Sequence, residues 1–330
     1  MLILAKAMLA MMLGFVASVV FGLILIPLLK RANIRQKVSV FLEKNHKKKD
    51  GTPTMGGLIF IIPTLMVVTF LLLTDRMEFS ENLFLVLFVF ITYALLGFVD
   101  DYLIIKRRSN DGLTEIQKLF WQLAIALIFF YIFMRSGNEP ILNIYTLGIN
   151  IDMGWFYGIF LLFVLVASSN AVNITDGLDG LAGGLSAIAF LAFGLICWNA
   201  LWVVGYQEIA IFCFILVGSL LGFLVFNTYP ARIFMGDTGS LTLGATLASI
   251  SLITSHELTF VIVAGVFVIE TLVSIIQMFG IMVLKKKIFI MAPLHHHFEK
   301  KGYHENDIVK GFWIVGLILG MAAIAFGVWI

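Results

Sequence analysis

Charge is what this sequence has least of. Asp, Glu, Lys and Arg make up 13% of its 330 residues, about half the share of roughly 25% that is usual in soluble domains. The hydrophobic share is 61%, and the mean hydropathy is +1.03. Because a water-facing surface needs polar residues, this composition excludes a soluble enzyme, a disordered chain and a nucleic-acid-binding protein. We expect lipid to surround most of the chain.

Cysteine is also scarce, and two common signatures are missing. The two cysteines, Cys197 and Cys213, lie in apolar runs, which excludes a disulfide framework and a CxxC metal site. The sequence has no GxxxxGKS/T phosphate-binding loop, and the pair Asp100-Asp101 does not continue as a DDxxD motif. Phosphate or metal chemistry in this chain must therefore come from other patterns.

Long apolar runs are abundant instead. A membrane-spanning helix needs roughly 20 mostly apolar residues, and ten runs come close to or exceed that length: 7–29, 56–74, 82–99, 116–134, 154–171, 181–201, 208–226, 240–255, 258–284 and 311–330. The sequence therefore predicts an all-α polytopic membrane protein with about ten transmembrane helices, formed as a single membrane domain over residues 1–330. The ninth run is the longest, which predicts a tilted or broken helix.

The distribution of basic residues predicts the orientation. With ten spans, every Lys and Arg except Lys6, Arg76 and Arg135 falls on one side of the membrane. Basic loops normally stay in the cytoplasm, so we expect both termini on the outer side and the polar motifs on the cytoplasmic face. On the outer side, the alternating segment 135–153 predicts a small β-hairpin.

Two cytoplasmic motifs precede the fourth span. The first, KKKDGTPTMGG, contains Lys49 and Thr54; lysines beside exposed N–H groups at a helix start can bind an anion, although a basic loop with a helix cap would look similar. The second, GFVDD, places Asp100 and Asp101 at the end of the third span. Paired carboxylates can bind Mg²⁺ or act as base and orienting group, and a helix end reaching water is the alternative. Lys118 follows shortly after.

Two further motifs supply amides and acids. NAVNITDGLDG, between the fifth and sixth spans, has no basic residue, and its amides and acids suit a divalent cation or hydrogen bonds to a sugar or base, with a structural loop as the alternative. NTYPARIFMGDTGS contains Asp237 between two glycines at the start of the eighth span, a second candidate Mg²⁺ ligand. Phe234 offers a ring for stacking a base, although packing is the commoner role for such a ring.

Histidines and a polar helix face complete the candidates. His295, His296 and His297 are consecutive, a spacing that argues against a tetrahedral zinc site. They suit hydrogen bonds to phosphate or sugar, and solvated loop histidines are the alternative. In the ninth span, Glu270, Ser274 and Gln277 share one helix face. This polar face either points into the protein toward the site or forms hydrogen bonds that hold helices together. Together the motifs predict an Mg²⁺-dependent phosphotransferase that acts on a lipid phosphate and a soluble substrate.

The motifs GTPTMGG, GFVDD, NAVNITDGLDGLAGG, NTYPARIFMGDTGS and APLHHHFE occur in this order. Through these motifs the chain resembles the phospho-N-acetylmuramoyl-pentapeptide-transferase family, and the resemblance extends over its whole length. The acidic motifs are shared with the wider polyprenyl-phosphate sugar-1-phosphate transferase superfamily, and APLHHHFE marks this branch. The resemblance implies a multi-pass protein of the bacterial cytoplasmic membrane, and a homodimer. It also implies Mg²⁺-dependent transfer of phospho-MurNAc-pentapeptide from UDP-MurNAc-pentapeptide to undecaprenyl phosphate, which yields lipid I and UMP.

The resemblance also implies roles for individual residues. Asp237 would bind Mg²⁺, Asp100 would be the candidate base beside Asp101, and Phe234 would stack on uracil. The implied catalytic set is Asp100, Asp101, Asp237 and His295, and the implied substrate-binding set is Lys49, Thr54, Lys118, Asn170, Asn173, Asp176, Gly177, Asp179, Asn227, Phe234, Gln277, His296 and His297. A family alternative makes Asp237 a covalent nucleophile; we prefer direct displacement. The lipid tail would lie in an apolar groove beside the ninth span.

Two other functions remain open from the sequence. A related transferase of GlcNAc-1-phosphate would share the acidic motifs, although the histidine motif argues against it. A transporter could also use acids within a membrane. Transporter sites lie near the midplane, however, whereas these polar residues gather on one face.

Overall fold

The computed structural model describes residues 2–32, 51–107, 112–144, 148–198 and 206–328. Twelve helices and one two-stranded sheet lie within these ranges. They are α1 Leu2–Arg31, α2 Leu58–Leu73, α3 Glu81–Arg107, α4 Glu115–Arg135, β1 Ile141–Ile144, β2 Ile149–Asp152, α5 Phe156–Thr175, α6 Leu181–Trp198, α7 Gln207–Asn227, α8 Gly236–Ile253, α9 Glu257–Val263, α10 Gly265–Met282, α11 Leu294–Lys300 and α12 Glu305–Val328.

Eight of the described helices, α1, α3, α4, α5, α6, α7, α10 and α12, are long and apolar enough to cross a membrane. Apolar side chains are also widely exposed on α1, α4, α5 and α12, where Leu9, Phe120, Ile159 and Ile318 are each about 60% exposed or more. Monomeric soluble proteins rarely expose apolar surface so widely. The chain is thus a helical polytopic membrane protein, and the count of ten spans stays a prediction.

The other two predicted spans coincide with α2 and α8. Helix α2 has 16 residues, short for a span. Helix α8 is buried from Thr238 to Ile253, and its sequence is rich in hydroxyl side chains. Because α8 contacts protein all round, it needs no apolar face toward lipid, which explains its lower hydropathy.

The ninth predicted span is broken, as its length suggests. Helix α9 ends at Val263, Ala264 follows, and α10 begins at Gly265. The first residue of α9 is tied to α5, because the Tyr157 hydroxyl donates a buried hydrogen bond of 2.5 Å to Glu257 Oε1. The prediction of a tilt or break is confirmed.

The predicted β-hairpin is also present. Strands β1 and β2 pair in antiparallel fashion, with Ile141 opposite Asp152 and Ile144 opposite Ile149. The connection at 145–147 lies outside the described residues. The placement of this hairpin on the outer surface stays a prediction.

Two central helices organise the bundle. Helix α8 packs against α3 and α5, whereas α7 packs against α1 and α6. The contact between α1 and α7 is made by small residues, and the buried Ser18 hydroxyl donates to the carbonyl oxygens of Ile59, at 2.9 Å, and Ser219, at 2.7 Å. Small residues let membrane helices approach closely, and hydroxyls join them.

A methyl group in this contact should destabilise the fold. A Cβ at Gly218 would overlap the carbonyl oxygen of Met11, whereas a Cβ at Gly311 would meet nothing within 4 Å. Alanine is the better helix former by about 1 kcal/mol, but overpacking costs about 1–3 kcal/mol. We expect Gly218→Ala to lower the thermal unfolding temperature in detergent and Gly311→Ala to leave it unchanged or raise it. Equal temperatures for both variants would contradict the close contact.

Candidate active site

The end of α3 and the start of α8 are joined by the carboxylate of Asp101. Its Oδ1 accepts a hydrogen bond from the backbone N–H of Asp237 at 3.1 Å. Its Oδ2 accepts one from the backbone N–H of Thr238 at 3.0 Å and another from the Thr238 hydroxyl at 2.6 Å. Free N–H groups and a positive dipole end make a helix start a favourable place for a buried carboxylate. Asp101 therefore fixes the first turn of α8 against α3.

Glycine is required where α8 begins. Gly236 has φ +75°, a conformation that residues with a Cβ rarely adopt. A Cβ here would also collide with Asp101 Oδ2 and crowd the hydroxyl of Thr54. Thr54 is buried, so the structure places this predicted substrate residue behind the cap of α8.

Backbone hydrogen bonds join the first and fourth motifs. The N–H of Phe234 donates to the carbonyl of Pro53 at 2.8 Å, the N–H of Gly56 donates to the carbonyl of Phe234 at 2.8 Å, and the N–H of Gly57 donates to the carbonyl of Met235 at 2.9 Å. Phe234 is half-buried. Its position just before α8 is thus set by the 53–57 segment. Lys49 lies outside the described residues.

The carboxylate of Asp237 has two partners from other helices. Lys118 Nζ, from α4, lies 2.6 Å from Asp237 Oδ2. Asn173 Nδ2, from the end of α5, donates to Asp237 Oδ1 at 2.8 Å and lies 2.9 Å from Ser240 Oγ. Three segments that are distant in the sequence therefore meet at one carboxylate.

Asp100 completes an acidic cluster, which we define as Asp100, Asp101 and Asp237. Lys118 Nζ lies 3.1 Å from Asp100 Oδ2, and the backbone N–H of Leu113 donates to Asp100 Oδ1 at 2.7 Å. The Asp100 side chain is 1% exposed. Its Oδ2 is therefore paired with the Lys118 ammonium group.

The acidic cluster fits a hard divalent cation. One carboxylate oxygen from each of its three acids lies within 4.8 Å of the others. Mg²⁺ prefers oxygen ligands and commonly takes only one or two carboxylates. Asp237 and Asp100 could supply them, because the Oδ2 atoms of both lie together against the partly exposed ammonium group of Lys118. Both oxygens of Asp101 are already engaged by α8, so Asp101 is a poor ligand.

A second group of predicted residues stabilises the loop that carries Phe234. The Asp179 carboxylate accepts from the N–H of Ala231 at 2.9 Å. The Asn227 amide accepts from the N–H of Gly180 at 3.0 Å and donates to the carbonyl of Ile233 at 2.9 Å. Asp179 and Asn227 thus connect the 176–180 turn to the 228–235 loop.

The three histidines lie on helix α11, and the alternative of solvated loop histidines is wrong. His295 is 0% exposed and His296 is 9% exposed. The α11 start is capped by Glu270 of α10, which accepts from the N–H groups of Leu294 at 2.7 Å and His295 at 3.2 Å. Glu270 therefore joins helices, one of the two roles left open for it.

His295 is packed behind the 176–180 turn. A Cβ at Gly177 would overlap His295 Nε2, so only glycine permits this approach. On its other side, His295 Nδ1 lies 3.3 Å from Glu270 Oε2. The structure thus places Gly177 and His295 in mutual contact, with His295 enclosed; the predicted catalytic role of His295 stays a prediction.

The remaining predicted residues lie around these groups. His296 Nδ1 lies 2.6 Å from Glu299 Oε2, and the His297 ring contacts Phe289 and Phe298. Asp176 forms the C-cap of α5. Two predicted substrate amides already bind protein atoms: Gln277 pairs with the backbone of Ile288 and Phe289, and Asn170 donates to Gln122 and to the Val166 carbonyl. Their substrate contacts stay predictions.

Several residues of the site were not predicted. Thr238 and Ser240 follow Asp237 by one and three residues, and hydroxyls at a helix start could have indicated a capping role. Gln122 and Glu305 carried no such signal. Glu305 accepts from the backbone N–H of Asp179 at 2.7 Å across 126 positions of sequence, a contact that local patterns do not encode.

Comparison with known proteins decides the family. Residues 83–255 match the model of glycosyl transferase family 4, and residues 49–61 match phospho-N-acetylmuramoyl-pentapeptide-transferase signature 1. A phospho-N-acetylmuramoyl-pentapeptide-transferase of Geobacillus sp. (strain WCH70) is 46% identical over 98% of both chains. The chain belongs to the phospho-N-acetylmuramoyl-pentapeptide-transferase family. Two further members are similar to this chain to the same degree. The protein of Geobacillus thermodenitrificans is 45% identical over 97% of this chain and 98% of the relative, and that of Bacillus subtilis (strain 168) is 44% identical over 97% of both chains.

The family matches cover the acidic cluster and its neighbours. The glycosyl transferase match spans Asp100, Asp101, Lys118, Asn173 and Asp237. The transferase signature spans the segment that pairs with the start of α8. This chain is therefore a transferase of the phospho-N-acetylmuramoyl-pentapeptide-transferase family, and the described cluster lies within the matched part.

The two adjacent aspartates should differ in stability effects. Asp101→Asn places an amide NH₂ against the N–H donors of α8, and loss of a cap together with an unsatisfied buried group costs about 1–3 kcal/mol. Asp100→Asn removes one of three clustered negative charges and keeps an oxygen for Leu113. In metal-free detergent, we expect a lower unfolding temperature for Asp101→Asn and little change for Asp100→Asn. The reverse order would refute the capping assignment.

Proposed function

We propose that this protein transfers phospho-MurNAc-pentapeptide from UDP-MurNAc-pentapeptide to undecaprenyl phosphate. A phosphate oxygen of the lipid attacks the β-phosphorus of the nucleotide, the bond between the β-phosphorus and the bridging oxygen breaks, and UMP leaves. The observation that carries this proposal is the Asp100–Lys118–Asp237 arrangement, found in a chain nearly half identical to named transferases. Phosphoryl transfer depends mainly on positioning and charge stabilisation, and this arrangement offers both.

The position of the cluster supports a reaction at the membrane surface. Asp100 lies near the end of α3, Lys118 near the start of α4, Asn173 near the end of α5 and Asp237 at the start of α8. Because these helix ends meet at one end of the bundle, the site can receive a soluble nucleotide there. The excess of basic residues in the same loops supports a cytoplasmic location.

An apolar groove beside α10 supports a lipid substrate. The cavity has a volume of about 450 Å³ and is almost entirely apolar. It is formed by α5, α8, α9 and α10, and its lining includes Phe160, Phe163, Leu247, Val261, Phe267 and Leu272. Asn170, one turn from Asn173 of the site, also lines it. We propose that part of the undecaprenyl chain lies here, with its phosphate toward Asp100.

The chain's residues take separate roles in the proposed reaction. Mg²⁺, held by Asp237 with Asp100 nearby, would neutralise charge on the diphosphate. The Asp100 carboxylate would orient the lipid phosphate and accept its remaining proton. Lys118 would bind phosphate oxygens as a flexible point charge. Phe234, ordered by the 53–57 segment, would stack on the uracil ring.

Direct displacement fits the surroundings of Asp237 better than a covalent intermediate. Both of its carboxylate oxygens are engaged, one by Lys118 and the other by Asn173. A carboxylate whose charge is already shared with an ammonium group and an amide is a weak nucleophile. One of its partners is the flexible Lys118 side chain, whereas Asp101 is held by backbone N–H groups, so Asp237 remains suited to cation binding.

We further propose that the protein functions as a single membrane domain of the bacterial cytoplasmic membrane, with both termini outside, as a homodimer. The basic loops support the orientation, and the helices with apolar surfaces support the membrane location. Family membership supports the remaining proposals.

Release of UMP tests the reaction. Purified protein in detergent should release UMP only when UDP-MurNAc-pentapeptide, undecaprenyl phosphate and Mg²⁺ are all present, and EDTA should stop it. Release with UDP-GlcNAc but not with the muramoyl donor would assign the protein to the sister branch. Absence of UMP from folded protein, with substrate flux into sealed vesicles, would favour a transporter instead.

Loss of the Asp237 charge should abolish transfer without unfolding the protein. Metal-ion stabilisation is worth several kcal/mol, so we expect Asp237→Asn to reduce turnover about a thousandfold. The control is Asp75→Asn: Asp75 is exposed and has φ +53°, which asparagine tolerates. UMP release above a tenth of the wild-type rate in folded Asp237→Asn would refute the metal-binding role.

Loss of the Phe234 ring should weaken nucleotide binding selectively. Base stacking on an aromatic ring is worth about 1–3 kcal/mol, so Phe234→Ala should raise the KM for UDP-MurNAc-pentapeptide about tenfold or more. The KM for undecaprenyl phosphate should change little. Phe79→Ala, at an exposed ring distant in sequence from the site, serves as the control. Equal changes in both KM values would mean that Phe234 only packs.

A further inference from the structure

We propose that Lys118 is a built-in counterion of the acidic cluster, and that a divalent cation binding at Asp237 displaces its ammonium group. This inference rests on the proposed function, because it assumes that a metal binds the cluster. It goes further by assigning Lys118 two alternative positions and by predicting that the lysine weakens metal binding.

The contacts of the Lys118 ammonium group carry the inference. Lys118 Nζ lies between two carboxylates, 2.6 Å from Asp237 Oδ2 and 3.1 Å from Asp100 Oδ2. These are the same two acids that offer ligand oxygens to a cation, since Asp101 is engaged by α8. In the described part of the chain, no other Lys or Arg forms an ion pair with the cluster.

Charge balance explains why the ammonium group lies there. Three carboxylates with oxygens within 4.8 Å repel one another strongly unless a cation is present, because burial weakens solvent screening. Lys118 supplies one positive charge and a divalent cation would supply two. Two cations between the same pair of oxygens would repel each other, so binding of either weakens binding of the other.

Mobility differs between the two sides of the contact. The Lys118 side chain is 26% exposed, and its four-carbon stem allows the ammonium group to move. Asp237 is held in place by two other contacts: its backbone N–H donates to Asp101, and its Oδ1 accepts from Asn173. The lysine can therefore leave while the carboxylate stays. Once displaced, the ammonium group is available to another anion, such as a diphosphate.

Binding of Mn²⁺ in the absence of substrates tests the competition. Mn²⁺ takes the oxygen ligands that suit Mg²⁺, and electron paramagnetic resonance reports its free concentration. We expect Lys118→Gln to bind Mn²⁺ at least about tenfold more tightly than the wild type. Lys118→Arg keeps the charge and should bind like the wild type. Lys106→Gln removes an exposed charge from the end of α3 and should also leave the affinity unchanged.

A measurement on the unaltered protein provides a second test. Amine acetylation followed by mass spectrometry reports how accessible each lysine is. Because displacement frees the Lys118 amine, we expect Mg²⁺ to increase the acetylation rate of Lys118 several-fold and to leave that of Lys106 unchanged. This test does not depend on whether a variant folds.

The outcomes separate this inference from the proposed function. Equal or weaker Mn²⁺ binding by folded Lys118→Gln, equally tightened binding by Lys118→Arg, or unchanged acetylation with Mg²⁺ would each overturn the counterion role, even if UMP release proceeds normally. Absence of Mn²⁺ binding by every variant would overturn it as well. Failure of UMP release alone would remove the proposed reaction, and the metal titration would still decide the exchange.

Discussion

The site depends on one buried carboxylate at a helix start. Asp101 accepts three hydrogen bonds from the first turn of α8, and this contact sets where Asp237 lies relative to α3. Without it, the N–H groups of a buried helix would lack partners. The neighbouring Asp100 carboxylate instead contacts Lys118 and the backbone N–H of Leu113. Two adjacent aspartates therefore serve different purposes because their side chains point in different directions.

Much of this arrangement could be predicted from the sequence, for physical reasons. Hydropathy locates helices because lipid accepts only apolar, internally bonded segments, and acids at helix ends indicate function because they are costly there. Asp100 and Asp237 are predicted in this way, whereas the roles of Lys118 and Asn173 are implied by the family resemblance, and the structure brings all four together. The limits of such patterns are clear in α8, whose hydroxyl-rich sequence reflects burial in protein and not in lipid.

What the sequence could not supply is the partner of each polar group. The consecutive histidines suggested solvent or ligand contacts, yet Glu270 caps their helix and His295 packs on Gly177. Gln277 shared a face with Glu270, as the spacing predicts, but its amide binds a nearby backbone segment. Such pairings depend on how helices cross, which residue spacing alone does not determine. The result is a supporting layer of polar contacts around a small reactive cluster.

The groove beside α10 has a consequence for selectivity. Its wall residues Phe163, Val261 and Leu272 are about half exposed or more, so a hydrocarbon chain can enter it sideways from the bilayer. In the proposed reaction, substrate and product carry the same chain, and the groove cannot tell them apart. Discrimination between the two lipids must therefore occur where their headgroups differ, and the lipid reaches the site by diffusion within the membrane whereas the nucleotide arrives from solution.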